Sequence, residues 1–286
     1  MTDEIKILFL GDTAGRPGRR AVKAYIAALK EKNNMPDFII ANVENASHGF
    51  GLTKKNYSEL ISCGIDCFTS GNHIFDKREI FEYIDNADKL LRPINYPKCT
   101  KGQGFKVFET QKCKIGVINV SGRTFMPAFE SYFDLLDNAI DEIKKETNII
   151  FMDIHAEATA EKISLARYYA KKGVSFIAGT HTHVQTADEQ LINNRCAYIT
   201  DAGFCGAYES VIGMDYEISI RRLKTMMPDR LEPAETDKVQ INGVLASINI
   251  NTGYANSIKR INEIKFLNDA AVFENPSCFG IEEPKQ

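Results

Sequence analysis

Short, almost wholly apolar runs recur along this chain, and each ends in a residue that can do chemistry. Residues 5–10 are apolar apart from Lys6 and lead into Gly11-Asp12. Residues 38–43 lead into Glu44-Asn45, and residues 65–69 lead through Ser70 into Gly71-Asn72-His73. Residues 148–154 lead into His155, and residues 174–178 into Gly179-Thr180-His181-Thr182-His183. Runs of this length and continuity read as strands buried on both faces.

Between them the period changes. Val22, Tyr25, Ile26 and Leu29 recur at helical spacing, and Pro17 suits an early helix position. Residues 53–63, with Tyr57, Leu60 and Ile61 inward, predict a second helix, and Phe133, Leu136, Ile140 and Ile143 mark another. A further helix is expected over residues 161–172. The first third thus reads βαβαβ, which implies a mostly parallel sheet covered by helices. Residues 105–110 and 114–120 predict a hairpin. Past Tyr198-Ile199-Thr200-Asp201 the apolar segments 218–223, 239–250 and 257–266 are rich in β-branched residues and predict antiparallel strands, with turns at Pro228, Pro233 and Gly253. No repeat or linker interrupts the 286 residues. The expectation is one layered α/β domain over residues 1–286 with a β-rich C-terminal half.

Composition narrows the function classes. A formal net charge of −3 gives no electrostatic footprint for nucleic acid. No apolar run approaches the roughly 20 residues of a membrane span, and the first apolar run begins without a signal-peptide pattern. Cysteines 63, 67, 99, 113, 196, 205 and 278 are odd in number and lack CxxC spacing, so they read as reduced thiols of a cytoplasmic protein.

Four of the five histidines, His73, His155, His181 and His183, stand at strand ends. Together with Asp12, Glu44, Asn45 and Asn72 they offer carboxylate, amide and imidazole donors. That is a set for Mn, Fe or Zn rather than Ca or Mg, and it is large enough for two ions. Each residue alone has a plainer reading: Asp12 as a helix cap, Glu44-Asn45 as turn chemistry, His155 as a core histidine. His181-x-His183 after a strand is stronger, because histidines two apart there rarely serve packing. Gly11, Gly15 and Gly18 are spaced G-x3-G-x2-G, not as a dinucleotide loop. His48 reads either as lining a substrate mouth or as a solvated loop residue. Arg16, Arg19 and Arg20 read as phosphate-steering groups or as a solvated helix face, and the segment from Asp201 to Gly206 as a wall of the cleft. Cys205 within it reads as an inert buried thiol ahead of an oxidation-sensitive one.

The ordered set Gly11-Asp12-Thr13-Ala14-Gly15-Arg16-Pro17-Gly18-Arg19, Asn42-Val43-Glu44-Asn45-Ala46, Gly71-Asn72-His73, Asp153-Ile154-His155-Ala156-Glu157 and Gly179-Thr180-His181-Thr182-His183-Val184-Gln185-Thr186 resembles the calcineurin-like metallophosphoesterases. More narrowly it resembles their bacterial YmdB-type phosphodiesterases. The resemblance implies that Asp12 and His183 bind one metal, that Asn72, His155 and His181 bind a second, and that Glu44 bridges. His73 is then the acid or charge-stabilising group facing the leaving oxygen, not a ligand. The superfamily's Asp-x-His is Asp12-Thr13-Ala14 here, and Asn45 is expected to supply the lost contact. The implied activity is hydrolysis of 2′,3′- or 3′,5′-cyclic nucleotides, or another small phosphodiester, by a hydroxide bridging two Fe or Mn ions, with Zn as a further option. A phosphomonoesterase or nucleotidase, and a regulatory metalloprotein with RNA-metabolism partners and incidental turnover, stay open as alternatives.

Overall fold

The protein, a computed structural model, is described here for residues 3–267 apart from residue 128. Cys278 lies outside the described residues. Two sheets pack face to face, and helices cover their outer faces. The chain begins with β1 (Glu4–Leu10), β2 (Asp12–Thr13), α1 (Gly15–Glu31), β3 (Phe38–Asn42), α2 (Lys54–Cys63), β4 (Cys67–Thr69) and the short α3 (Ile80–Tyr83). It continues through β5 (Phe105–Glu109), β6 (Lys114–Ser121), α4 (Phe133–Lys144), β7 (Ile150–His155), α5 (Thr159–Lys171) and β8 (Phe176–Thr180). After these come β9 (Gln190–Ile192), β10 (Cys196–Ile199), β11 (Phe204–Ala207), α6 (Tyr216–Thr225), β12 (Lys238–Asn249) and β13 (Ala255–Phe266).

The first sheet runs β2-β11-β12-β1-β3-β4, with β13 paired to β12; the second runs β5-β6-β7-β8-β10-β9. β1, β3 and β4 are parallel, as are β6, β7 and β8, whereas β12 joins β1 antiparallel. Side-chain alternation splits β1 between two cores. Leu8 and Leu10 pack with Val22, Tyr25 and Leu29 of α1, while Ile7 and Phe9 face Phe151 and Phe176 of the second sheet. Phe9 and Phe151 lie 4.9 Å apart between ring centroids, and so do Phe151 and Phe176. A third core seats Leu136 and Ile140 of α4 and Leu165 and Ala166 of α5 on the outer face of β7.

The layered α/β class is as expected, with three differences. Helices cover one face of each sheet, because the other face is taken by its partner sheet. Residues 218–223 form part of α6, not a strand. Ile218, Ser219 and Ile220 alternate like a strand, but Asp215 caps the segment by accepting the Ile218 N–H at 2.9 Å, and the Ser219 hydroxyl donates to the Asp215 carbonyl. No α6 residue is buried, so no tertiary contact overrides that local signal. The third strand is shorter than expected, because Ile65 and Asp66 precede the ladder.

Candidate metal centre

The parallel strands of both sheets end at one cleft, as in open α/β sheets. β2, directly after β1, carries Asp12; β3 leads into Glu44 and Asn45, β4 into Asn72 and His73, and β8 into His181 and His183, while β7 ends in His155. A cavity of about 350 Å³ is lined by Glu44, Asn45, His73, His181 and His183, among others. Asp12 and His155 are fully buried. All eight residues singled out in the sequence therefore meet.

Their contacts fall into two groups. Asn45 Nδ2 lies 3.0 Å from His183 Nε2, and Asp12 Oδ1 lies 3.9 Å from the same nitrogen. In the second group, His155 Nε2 is 3.2 Å from Asn72 Oδ1 and 3.1 Å from His181 Nδ1. Glu44 touches both groups: its Oε1 is 3.0 Å from His155 Nε2 and accepts from Asn45 Nδ2 at 3.3 Å. Glu44, His155 and His181 place one ligand atom each within 4.8 Å of one another. Gly71 permits this crowding, since a Cβ there would stand 2.1 Å from His155 Cδ2 and 2.4 Å from Glu44 Oε2.

Each of the three histidines has its other ring nitrogen engaged by a group outside the cluster. His155 Nδ1 faces Thr180 Oγ1 at 2.9 Å, and that hydroxyl donates to Asp153 Oδ1 at 2.7 Å. His183 Nδ1 donates to the Ile212 carbonyl at 2.8 Å, and His181 Nε2 faces Glu157 Oε2 at 3.2 Å. Such partners orient each ring and turn its other nitrogen toward the cluster.

Charge balance fits a cation as well. Asp12 Oδ1 is buried and has no hydrogen-bond partner among the described residues. Burial raises the Asp12 pKa despite His183 and His155 nearby, which marks a carboxylate short of positive charge. Burial would also raise Glu44, but the charged His155 imidazole and the His73 N–H hold it down to about 2. Burial opposes charging His155, yet Glu44 raises it to about 9. Burial and the neighbouring His155 charge push His181 down to about 3. The metal-free site thus holds a proton on His155 that an incoming cation would displace.

His73 lies beside the cluster without joining it. Its N–H donates to Glu44 Oε2 at 2.9 Å, its Nδ1 is 2.8 Å from Asp76 Oδ2, and its ring meets Phe50 edge-on at 4.9 Å. His48 is exposed in a turn and does not line the cavity, which decides for the solvated reading. The arginines of α1 serve structure: Arg19 pairs with Glu59 and Arg20 with Asp237, while exposed Arg16 stands 4.0 Å from Glu235. Phe204 stacks on His183 at 5.3 Å, but no residue from Asp201 to Gly206 lines the cavity, so the segment after β10 supports His183 instead of walling the cleft. Cys205 is fully buried, and burial raises its thiol to about 12, the inert reading.

A sequence model of the YmdB-like protein family matches residues 8–261. The chain belongs to this family. It is 45% identical to the 2′,3′-cyclic-nucleotide 2′-phosphodiesterase of Bacillus subtilis (strain 168), over 94% of this chain and 99% of that one. A solved phosphatase from Mycoplasma pneumoniae superposes with a TM-score of 0.85 at 34% identity, covering 96% of this chain and 98% of that one. A hypothetical protein from Thermus thermophilus superposes at 0.84 with 32% identity, covering 91% of this chain and 100% of that one.

The YmdB-like match contains every one of the eight residues that meet at the cleft. Within it, sequence reasoning missed the supporting residues. Asp153 and Thr180 stand inside motifs already singled out, and Asp153 lies two positions before His155 on the same strand, which places both on one face. Glu157 follows His155 in the same motif. Phe50, Ile212, Met214 and Leu231 also line the cavity, and no spacing rule points to them.

Proposed function

We propose that this YmdB-like chain hydrolyses cyclic nucleotides, 2′,3′- or 3′,5′-cyclic phosphates, at a centre of two Fe or Mn ions, with Zn the further option. That it is a phosphoester hydrolase follows from its family; the substrate and the ions are the proposal. The observation that carries it is the meeting of Asp12, Glu44, Asn72, His155, His181 and His183, with the outer nitrogens of the histidines engaged and Asp12 Oδ1 left without a donor. Asp12, His183 and Asn45 would hold one ion, and Asn72, His155 and His181 the other, with Glu44 shared. Bound there, the ions supply positive charge to the phosphoryl oxygens and lower the pKa of water.

The chain's own groups do the rest. Water attacks phosphorus and gives up a proton to solvent, one ring P–O bond breaks, and the departing ribose oxygen takes a proton from a donor that solvent then recharges. His73 gives that proton, and Asp76 holds its Nδ1–H so that the other nitrogen faces the reaction. Among the described residues, the cavity lining contains Glu44 and Glu157 but neither Lys nor Arg. A diester with one negative charge suits such a lining better than a monoester with up to two. Phe50, Ile212, Met214 and Leu231 add apolar surface suited to a nucleobase.

The test is kcat/KM on a panel of 2′,3′-cyclic, 3′,5′-cyclic and linear diesters beside nucleoside monophosphates, with metal content measured in parallel. Cyclic diesters should lead. A higher value for any monophosphate than for every diester would replace this reading with a nucleotidase.

A further inference from the structure

Lys162 stands where the pattern of α5 calls for an apolar residue. It shares the buried face with Leu165, Ala166 and Tyr169 and is 1% exposed. Gly179 of β8 makes room for it, since a Cβ there would lie 2.6 Å from Lys162 Cδ. A buried ammonium persists only when paired and hydrogen-bonded. Lys162 Nζ donates to Asp201 Oδ2 at 2.6 Å and to the Thr180 carbonyl at 3.0 Å. Asp201, equally buried, accepts on that same oxygen from the Thr182 N–H at 3.2 Å and the Thr182 hydroxyl at 2.7 Å. Its Oδ1 accepts from the Gly203 N–H at 2.9 Å.

Thr182 is the residue between His181 and His183. Both histidines have left-handed backbones, with φ of 101° and 63°. Side chains other than glycine adopt such angles only where the surroundings impose them. Neither Lys162 nor Asp201 lines the cavity.

We propose that the buried Lys162–Asp201 pair is a positioning device: it clamps Thr182, and through it the turn that aims both histidines into the cleft. The proposal rests on the reading of His181 and His183 as metal ligands. Asp201 is needed as an acceptor for several donors at once, and Lys162 neutralises it next to Asp12, where a further negative charge would be costly. An apolar pair at these positions would leave the Thr182 N–H and hydroxyl without an acceptor.

The test uses Thr182→Val, which removes the hydroxyl but keeps a β-branched side chain, and Thr182→Ser, which restores it. A double variant, Lys162→Met with Asp201→Asn, removes both charges together and leaves no buried ion unpaired. Imidazole ¹H–¹⁵N spectra of the metal-free proteins are tractable with five histidines. Mn²⁺ alone is then titrated in, with free ion read by electron paramagnetic resonance. Thr182→Val and the double variant should shift the His181 and His183 resonances, leave His48 in place, and weaken Mn²⁺ binding by about 10–100-fold; Thr182→Ser should behave as the parent. Unchanged His181 and His183 resonances in Thr182→Val would overturn the proposal, and this comparison decides alone if the double variant does not fold. A parent protein that binds no Mn²⁺ would defeat the metal reading instead, while the spectra would still judge the clamp.

Discussion

The two sheets bring different chemistry to the cleft. The first supplies the carboxylates of Asp12 and Glu44 and the amides of Asn45 and Asn72, and the second supplies His155, His181 and His183, all imidazoles. One wall carries the charge, and the other carries nitrogens whose outer partners fix them. Neither wall is a site alone. They meet because Ile7 and Phe9 of β1 pack with Phe151 and Phe176 in an apolar core between the sheets. Glu44 reaches across to His155 at 3.0 Å, so the junction of the sheets is also the centre of the site.

Glu44→Ala breaks that junction and should have the largest effect. Elemental analysis should find neither ion, and turnover should fall below detection. Two ions per chain in this variant would sink the bridging role. His73 is the exception on the first wall, an imidazole turned to Asp76 instead of the cluster. His73→Ala should keep both ions and lose about 10²–10⁴-fold in kcat on cyclic nucleotides, the usual worth of a general acid. The loss should be clearly smaller on a nitrophenyl diester, whose leaving group needs no proton. Equal losses on both would leave His73 as a charge stabiliser.

The pair across the walls predicts a pH effect in the chelated protein. The folded pKa of His155 is raised to about 9, from an ordinary 6.5. Its contribution is therefore fully present below pH 6.5 and is lost as pH rises through about 9. One pKa unit corresponds to about 1.4 kcal/mol, so the term is on the order of a few kcal/mol. Denaturant melts of the chelated protein should weaken from pH 6 to pH 10, and His155→Gln should flatten that slope. An equal slope in both proteins would remove the pair from the account. Asn45→Ala is the mildest change, since it removes a neutral donor without unpairing a charge. It should leave about one ion per chain, and full loading with unchanged affinity would show that Asn45 does not replace the histidine missing at Ala14.

Both walls were legible in the sequence for a shared reason. Strands buried on both faces read as continuous apolar runs, and the polar residue that ends each run marks the cleft. The face-to-face packing was not legible, because an apolar strand does not say whether a helix or another sheet covers it. Residues 218–223 misled because Ile218 and Ile220 alternate, while the capping by Asp215 that decides for a helix lies just outside the run. Lys162 escaped notice because a lysine on an apolar face makes sense only with its partner, Asp201, which lies 39 residues further along the chain. Thr180 was in view, but its link from His155 to Asp153 exists only once β7 and β8 pair.

The most direct measurement is the transition-metal content per chain of protein purified without added metal, taken with cyclic-nucleotide turnover on the same sample. A two-ion centre requires two ions per chain, with activity lost on chelation and restored by Mn²⁺ or Fe²⁺. Full turnover in a sample carrying one ion or none would contradict it.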